Sequence, residues 1–192
     1  MDEKETSDSE LLNLVLGGAD SAYAELVRRH HAKVFGLCIS MLANQTQAED
    51  AAQEVFLKAY QSLKKFRGTS SFSTWLYRVA SNHCLDVLRK ESRHRSESLD
   101  ALLDAEGDRI QRLITEPDQE RRLEDADLVE RVLRTLPADY RLILTLREVQ
   151  GLNYTEIMEA MDCSMDSVKA RLRRARESLE QSLRHIIGSK NV

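Results

Sequence analysis

The stretch N-Y-T-E-I-M-E-A-M-D-C-S-M-D-S-V-K-A-R-L-R-R-A-R, residues 153–176, decides how this chain reads. Asn153 with Glu156 three residues later has the pattern of a capping box, so a short helix starts there with Ile157, Met158 and Met161 turned inward. Cys163 and Ser164 break it, and Ser164 suits the N-cap of a second helix. That helix runs over 165–183 with Val168, Leu172, Ala175, Leu179 and Leu183 at helical spacing. Lys169, Arg171, Arg173, Arg174 and Arg176 take much of the remaining surface. A short helix, a tight turn and a basic second helix make a helix-turn-helix. A helix about 10–12 Å across enters the major groove, where Arg reads guanine bidentately and other cations meet phosphates. Asp166, early in the helix, favours the helix dipole and can accept from a cytosine amine. The same residues would also make an amphipathic helix with an arginine-coated solvent face.

Outward from this motif the chain stays helical. Pro137 opens a helix at a tolerated first-turn position, Gly151 sits where a helix stops, and 123–136 has helical periodicity. Residues 96–120 are polar and interrupted by Gly107 and Pro117, a linker that still carries Leu99, Leu102, Leu103, Ile110, Leu113 and Ile114. Further upstream, Leu11, Leu12, Val15 and Leu16 form a stripe after Ser9 that Gly17-Gly18 ends. Asp20 is placed to cap a longer helix carrying Leu26, Val27, Val34, Leu37, Cys38, Met41 and Leu42. A third helix is expected over 47–63 and a fourth over 72–93, with Phe72, Trp75, Leu76, Val79, Ala80, His83, Cys84, Val87 and Leu88 in register. With 7 Gly and 2 Pro in 192 residues and no alternating β-branched runs, strands have little to build with. The expected fold is all-α: two small helical domains, 8–95 and 123–188, joined by an acidic linker over 96–122, the C-terminal domain a helix-turn-helix.

Charge is laid down in blocks. Residues 64–95 carry eight Lys/Arg against Asp86 and Glu91, net +6; 96–130 carry twelve acids against four Arg, net −8; 164–188 carry six Lys/Arg against three acids, net +3. Any one block can be a solvated face. Two basic blocks flanking an acidic one suggest two polyanion contacts and a segment kept off nucleic acid, despite an overall charge of −4. No catalytic constellation, phosphate loop or metal-ligand spacing is present, so neither an enzyme nor a cofactor or metal site is expected. Cys38, Cys84 and Cys163 are odd in number and lack a C-x-x-C pair, and the first two fall on apolar faces. No apolar run approaches the roughly 20 residues of a membrane span, and the acidic start lacks a secretory pattern, so a cytoplasmic chain with no direct membrane insertion is expected.

Four runs together resemble the extracytoplasmic-function group of bacterial RNA polymerase sigma factors, across nearly the whole chain. A-E-D-A-A-Q-E-V-F-L-K-A-Y, 48–60, is similar to the family's core-binding helix, and F-R-G-T-S-S-F-S-T-W-L-Y-R-V-A-S-N, 66–82, to its promoter-melting part. L-P-A-D-Y-R-L-I-L-T-L-R-E-V-Q-G-L-N-Y-T-E-I, 136–157, and C-S-M-D-S-V-K-A-R-L-R-R-A-R, 163–176, resemble its fourth conserved region. The resemblance implies a factor that binds core polymerase through the β and β′ subunits, reads two promoter elements and starts transcription at a specialised regulon. It implies a clamp-docking face at Asp50, Gln53, Glu54 and Lys58, which spacing alone reads as a polar face opposite Val55, Phe56 and Tyr60. It implies minus-10 contacts from Phe66, Arg67, Ser70, Tyr77, Arg78 and Asn82, and minus-35 contacts from Lys169, Arg173 and Arg174. Asp166, Ser167, Arg171 and Arg176 join that second surface, the latter three as phosphate contacts. Ala170, where the family often has a small hydroxyl residue, and the acid at 166 are departures that bear on sequence preference. An anti-sigma partner is implied as well. On the residues alone, an ordinary helix-turn-helix regulator or a helical adaptor module would fit much of the chain.

Overall fold

The computed structural model describes the backbone of residues 6–103, 132, 133 and 135–188, and side chains over 6–94, 132, 133 and 135–184. Most of the expected linker lies outside the described residues, as does most of the helical periodicity over 123–136. Every regular element described is a helix.

Helix α1, Asp8–Leu16, begins at a capping box in which the Glu10 amide donates to Ser7 Oγ and the Ser7 amide to Glu10. The cap is Ser7, two residues before the Ser9 start expected from the apolar stripe. Helix α2, Asp20–Leu42, has no side-chain cap: Asp20 is its first residue and not its cap, a correction to the expectation above. Helix α3, Gln45–Ser62, is capped by Asn44, whose Oδ1 accepts from the Gln47 amide at 2.9 Å. A single 3-10 turn, Leu63–Lys65, follows. Helix α4, Phe72–Leu103, starts at Ser71, whose hydroxyl accepts from the Thr74 amide at 3.0 Å. It runs ten residues past the expected end at 93 and into the stretch expected to be linker. Residues 94–103 include neither Gly nor Pro, so nothing in the backbone chemistry stops the helix.

In the C-terminal half, α5, Ala138–Leu144, passes into a π-turn, Thr145–Val149, and the chain reverses at Gly151 with φ +72. Helix α6, Tyr154–Ala160, and helix α7, Met165–Gly188, complete it. The apolar residues of both halves form one cluster. Helix α2 is its axis, packing on α1, α3 and α4, while α7 packs on α5 and α6. Leu26, Leu37, Met41, Leu76, Ile143, Leu146 and Ile157 are among the fully buried side chains. Cys38 and Cys84 meet in this core, Sγ to Sγ 3.7 Å apart, and the contact together with burial pushes the Cys84 thiol far above its ordinary pKa.

The halves are joined by more than apolar contact. Arg141 of α5, 8% exposed, donates from Nη1 to the carbonyl oxygen of Met41 at 2.6 Å and from Nε to that of Leu133 at 2.9 Å. Met41 lies in the last turn of α2, where carbonyls have no partner within the helix and a cation is favoured. Beside it, Gly36 lets the Gln150 amide approach so closely that a Cβ on Gly36 would lie 3.2 Å from Nε2. Truncating a fully packed side chain at the axis removes transfer energy and leaves a cavity. Leu37→Ala is expected to lower unfolding free energy by about 2–5 kcal/mol, read as a fall in the urea midpoint at unchanged slope.

Candidate nucleic-acid interface

The helix-turn-helix is built from local hydrogen bonds. The Glu156 amide donates to Asn153 Oδ1 at 3.0 Å and the Asn153 amide to Glu156 Oε2 at 2.8 Å, so the expected capping box is formed. The turn closes with the Cys163 amide on the Met158 carbonyl at 3.1 Å, and Asp162 takes the left-handed conformation at φ +50. An acid there is tolerated because a short polar side chain offsets the Cβ penalty locally. Ser164 Oγ then accepts from the Ser167 amide at 3.3 Å and caps α7. Val168, Leu172 and Ala175 are buried, which turns Lys169, Arg173, Arg174 and Arg176 outward, with Arg171 half-buried. Asp166 is exposed in the first turn and Ser167 half-buried beside it.

The cations are not equivalent. Arg173 is paired with Glu177 at 3.0 Å along the helix, and Arg176 with Glu148 at 2.8 Å across to the π-turn. Lys169 and Arg174 have no acidic partner among the described residues, so a phosphate or base would meet them without displacing an ion pair. Arg176, expected to touch phosphate, braces α7 against the preceding turn. Arg147 completes that brace, its guanidinium 5.3 Å from the centre of the Tyr154 ring and its Nη1 donating to the Leu152 carbonyl at 2.8 Å.

The second basic segment behaves differently. Gly68, at φ +67, turns the loop between the 3-10 turn and α4, leaving Arg67 exposed and Ser70 half-buried. Phe66 is half-buried, tilted on Trp75 at 5.3 Å and edge-on to Phe72 at 6.1 Å, so it closes the domain's aromatic cluster. Asn82 is exposed. Tyr77, expected to face DNA, is 4% exposed: its hydroxyl donates to Gln150 Oε1 of the other domain at 2.7 Å, and burial pushes its pKa up to about 12. Arg78 is exposed but held, Nη2 donating to Asp162 Oδ2 at 2.7 Å.

On α3, Asp50 and Gln53 are exposed and Glu54 and Lys58 half-buried, one polar stripe at helical spacing. Val55 and Phe56 lie inward as expected, but Tyr60 does not: it is 44% exposed and donates to Asp20 at 2.8 Å. Leu57, 50% exposed, stands within the polar stripe. Its position was open to the spacing 50, 53, 54, 57, but a leucine in a polar stripe is ordinarily assigned to the core. Lys58 lies 3.8 Å from Glu54 and donates to His83 Nδ1 at 2.7 Å, joining α3 to α4. Burial and the Lys58 charge hold the imidazole below its ordinary value.

The two halves separately match known family models: Sigma-70 region 2 over residues 26–94 and Sigma-70 region 4 over residues 126–179. Over 184 residues the chain is 35% identical to the RNA polymerase sigma-H factor of Pseudomonas aeruginosa, covering 94% of this chain and 95% of that protein. The chain belongs to the ECF sigma factors. It is also 35% identical over 188 residues to the ECF RNA polymerase sigma-E factor of Escherichia coli K12, covering 96% and 98% of the two chains. A solved structure of CnrH in complex with the cytosolic domain of CnrY shares the fold, with a TM-score of 0.67, 23% identity and coverage of 92% of this chain and 96% of that one. The RpoE factor in complex with the anti-sigma factor NepR from Bartonella quintana does so at a TM-score of 0.62, 24% identity and coverage of 84% and 96%. As an ECF sigma factor the protein recognises promoters and acts in transcription initiation with RNA polymerase, in a family that is not catalytic. No described helix is long and apolar enough to cross a membrane.

His83 supplies a test of the α3–α4 joint in this sigma factor. Its nitrogen accepts from Lys58 only when unprotonated, and its folded pKa lies below the unfolded value of 6.5. The unfolded chain therefore takes up the proton first, and stability present above about pH 6.5 falls as pH drops toward the folded pKa. Denaturant titrations of His83→Gln should show a shallower loss over that window than the parent; parallel curves would remove the linkage.

Proposed function

We propose that the ECF sigma factor divides its work between an N-terminal domain, 8–95, and a C-terminal domain, 123–188, with the acidic segment 96–122 between them. The α3 face of Asp50, Gln53, Glu54 and Lys58 docks on the polymerase clamp of the β and β′ subunits. Its carboxylates and amide complement a basic surface, and exposed Leu57 and Tyr60 add an apolar anchor beside them. Phe66, Arg67, Ser70, Tyr77, Arg78 and Asn82 serve the minus-10 element, with Phe66 shaping the loop through Trp75 while Arg67 and Asn82 meet the strand. Asp166, Ser167, Lys169, Arg171, Arg173, Arg174 and Arg176 serve the minus-35 element. The net −8 of 96–130 suits displaceable occupation of channels that otherwise hold nucleic acid.

The observation that carries this reading is α7: one face buried in its own domain, the other carrying Lys169 and Arg174 with no acidic partner among the described residues. Arg174 reads a base edge, while Arg176, already paired with Glu148, contributes to phosphate contact and to holding the helix. The chain itself has no enzymatic activity, works in the cytoplasm, and is restrained by an anti-sigma partner.

Runoff transcription with core polymerase and promoters mapped after overexpression tests the whole reading, and absence of stimulation refutes it. Arg174→Ala is expected to weaken use of the preferred minus-35 sequence by about 1–3 kcal/mol; an equal loss on every upstream sequence assigns the residue to phosphate instead. Glu54→Lys should abolish retention of the folded factor on immobilised core enzyme. Normal retention would free α3 from the docking role.

A further inference from the structure

The arginines of α7 are held in different ways. Arg173 pairs with Glu177 one turn along the same helix, which restrains its rotamer but ties it to no other element. Arg176 pairs with Glu148, 28 residues away in the π-turn, its Nη2 donating to Oε1 at 2.8 Å. Tyr154, the first residue of α6, lies beside the same guanidinium, and Arg147 sits over its ring while donating to the Leu152 carbonyl. The hydrogen bond from Glu148 is the first cause that holds Arg176 above its ordinary pKa. The π-turn delivers that carboxylate. The Gln150 amide reaches back five residues to the Thr145 carbonyl, at 2.9 Å, and the wider turn leaves Glu148 exposed after buried Thr145 and Leu146. Side chains of the π-turn, α6 and α7 thus converge at one corner of the recognition helix.

Arg176 follows Lys169 by seven residues and Arg173 by three, so these cations share one face of α7. Its side chain is 51% exposed, and a guanidinium has five N–H donors, so pairing with one carboxylate oxygen leaves donors for a phosphate. An unheld arginine on a helix surface loses rotamer freedom when it closes on DNA, whereas one fixed to a second element has lost it on folding. We propose that Glu148 is a positioning residue for promoter binding: from the π-turn it holds the Arg176 guanidinium in place to grip a phosphate of the minus-35 duplex. The inference rests on the phosphate role given to Arg176 above. Phosphate contacts fix the register in which Lys169 and Arg174 meet base edges, so a fixed Arg176 serves both. The role sets Glu148 against its own charge. An acid at a DNA-facing surface repels the polyanion, so Glu148 weakens binding as a bare charge and strengthens it through the arginine it fixes.

The test uses the full chain bound to core polymerase, with a duplex carrying a promoter mapped after overexpression and the same duplex with its minus-35 block scrambled. Arg176→Ala should weaken binding about fivefold on both duplexes, the loss of one charge-assisted contact. It should also lower the slope of log affinity against log salt by about 0.9, as for one phosphate. Glu148→Ala should shift both readings in the same direction, although it removes a negative charge, and should add nothing in the Arg176→Ala background. Glu148 is exposed, so the fold should persist, read as an unchanged urea midpoint. Glu180→Gln removes an exposed acid farther along α7 and should bind no more weakly than the parent. Tighter binding by Glu148→Ala, or full additivity with Arg176→Ala, overturns the positioning role and leaves Glu148 a repulsive charge. An Arg176→Ala variant that binds both duplexes like the parent removes the phosphate contact itself, and the positioning role with it.

Discussion

Helix α4 has two faces to satisfy, and most of the molecule is arranged around them. Phe72, Leu76, Ala80 and Cys84 are buried in the N-terminal core with α2 and α3, while Tyr77 reaches Gln150 at the end of the π-turn and Arg78 reaches Asp162 after α6. The two commitments differ in strength. A fully buried aliphatic side chain contributes about 1.5–3 kcal/mol, and several of them hold the first face. An exposed ion pair such as Arg78–Asp162 is worth about 0–1 kcal/mol. The Arg78–Asp162 pair is therefore the weakest member of a joint that also includes buried apolar contact between the halves.

Arg141 is the exception within that interface. A guanidinium at 8% exposure is costly unless its donors are used, and here they meet the carbonyls of Met41 and Leu133. One of those carbonyls belongs to its own half of the chain and one to the other. Parting the domains loses one acceptor and admits water to replace it, so the charge is never left dry.

The overall charge of −4 gives no hint of DNA binding, because the field that matters is local. The cations of α7 gather on one side since Val168, Leu172 and Ala175 must be buried on the other. The same logic places the acids of α3 together opposite Val55 and Phe56. Amphipathic helices thus sort charge into one-sided surfaces with no requirement beyond burial of their apolar residues.

Helical class, the capping box at Asn153, the Ser164 cap and the inward set of α7 were legible in the sequence because each depends on residues three or four positions apart. The outward set of Lys169 and Arg174 was legible for the same reason. What spacing missed depends on partners far along the chain. Tyr60 is exposed because Asp20 holds its hydroxyl from another helix, and Tyr77 is buried because Gln150, 73 residues away, covers it. The pairing of Arg176 with Glu148, from α7 across to the π-turn, was likewise outside the reach of spacing. The amino-acid order alone determined the helical class, the caps at Asn153 and Ser164 and the apolar face of α7, since each depends on residues three or four positions apart. Only the tertiary structure decided which polar groups are spent on each other, because hydrogen-bond partners are chosen by proximity in space.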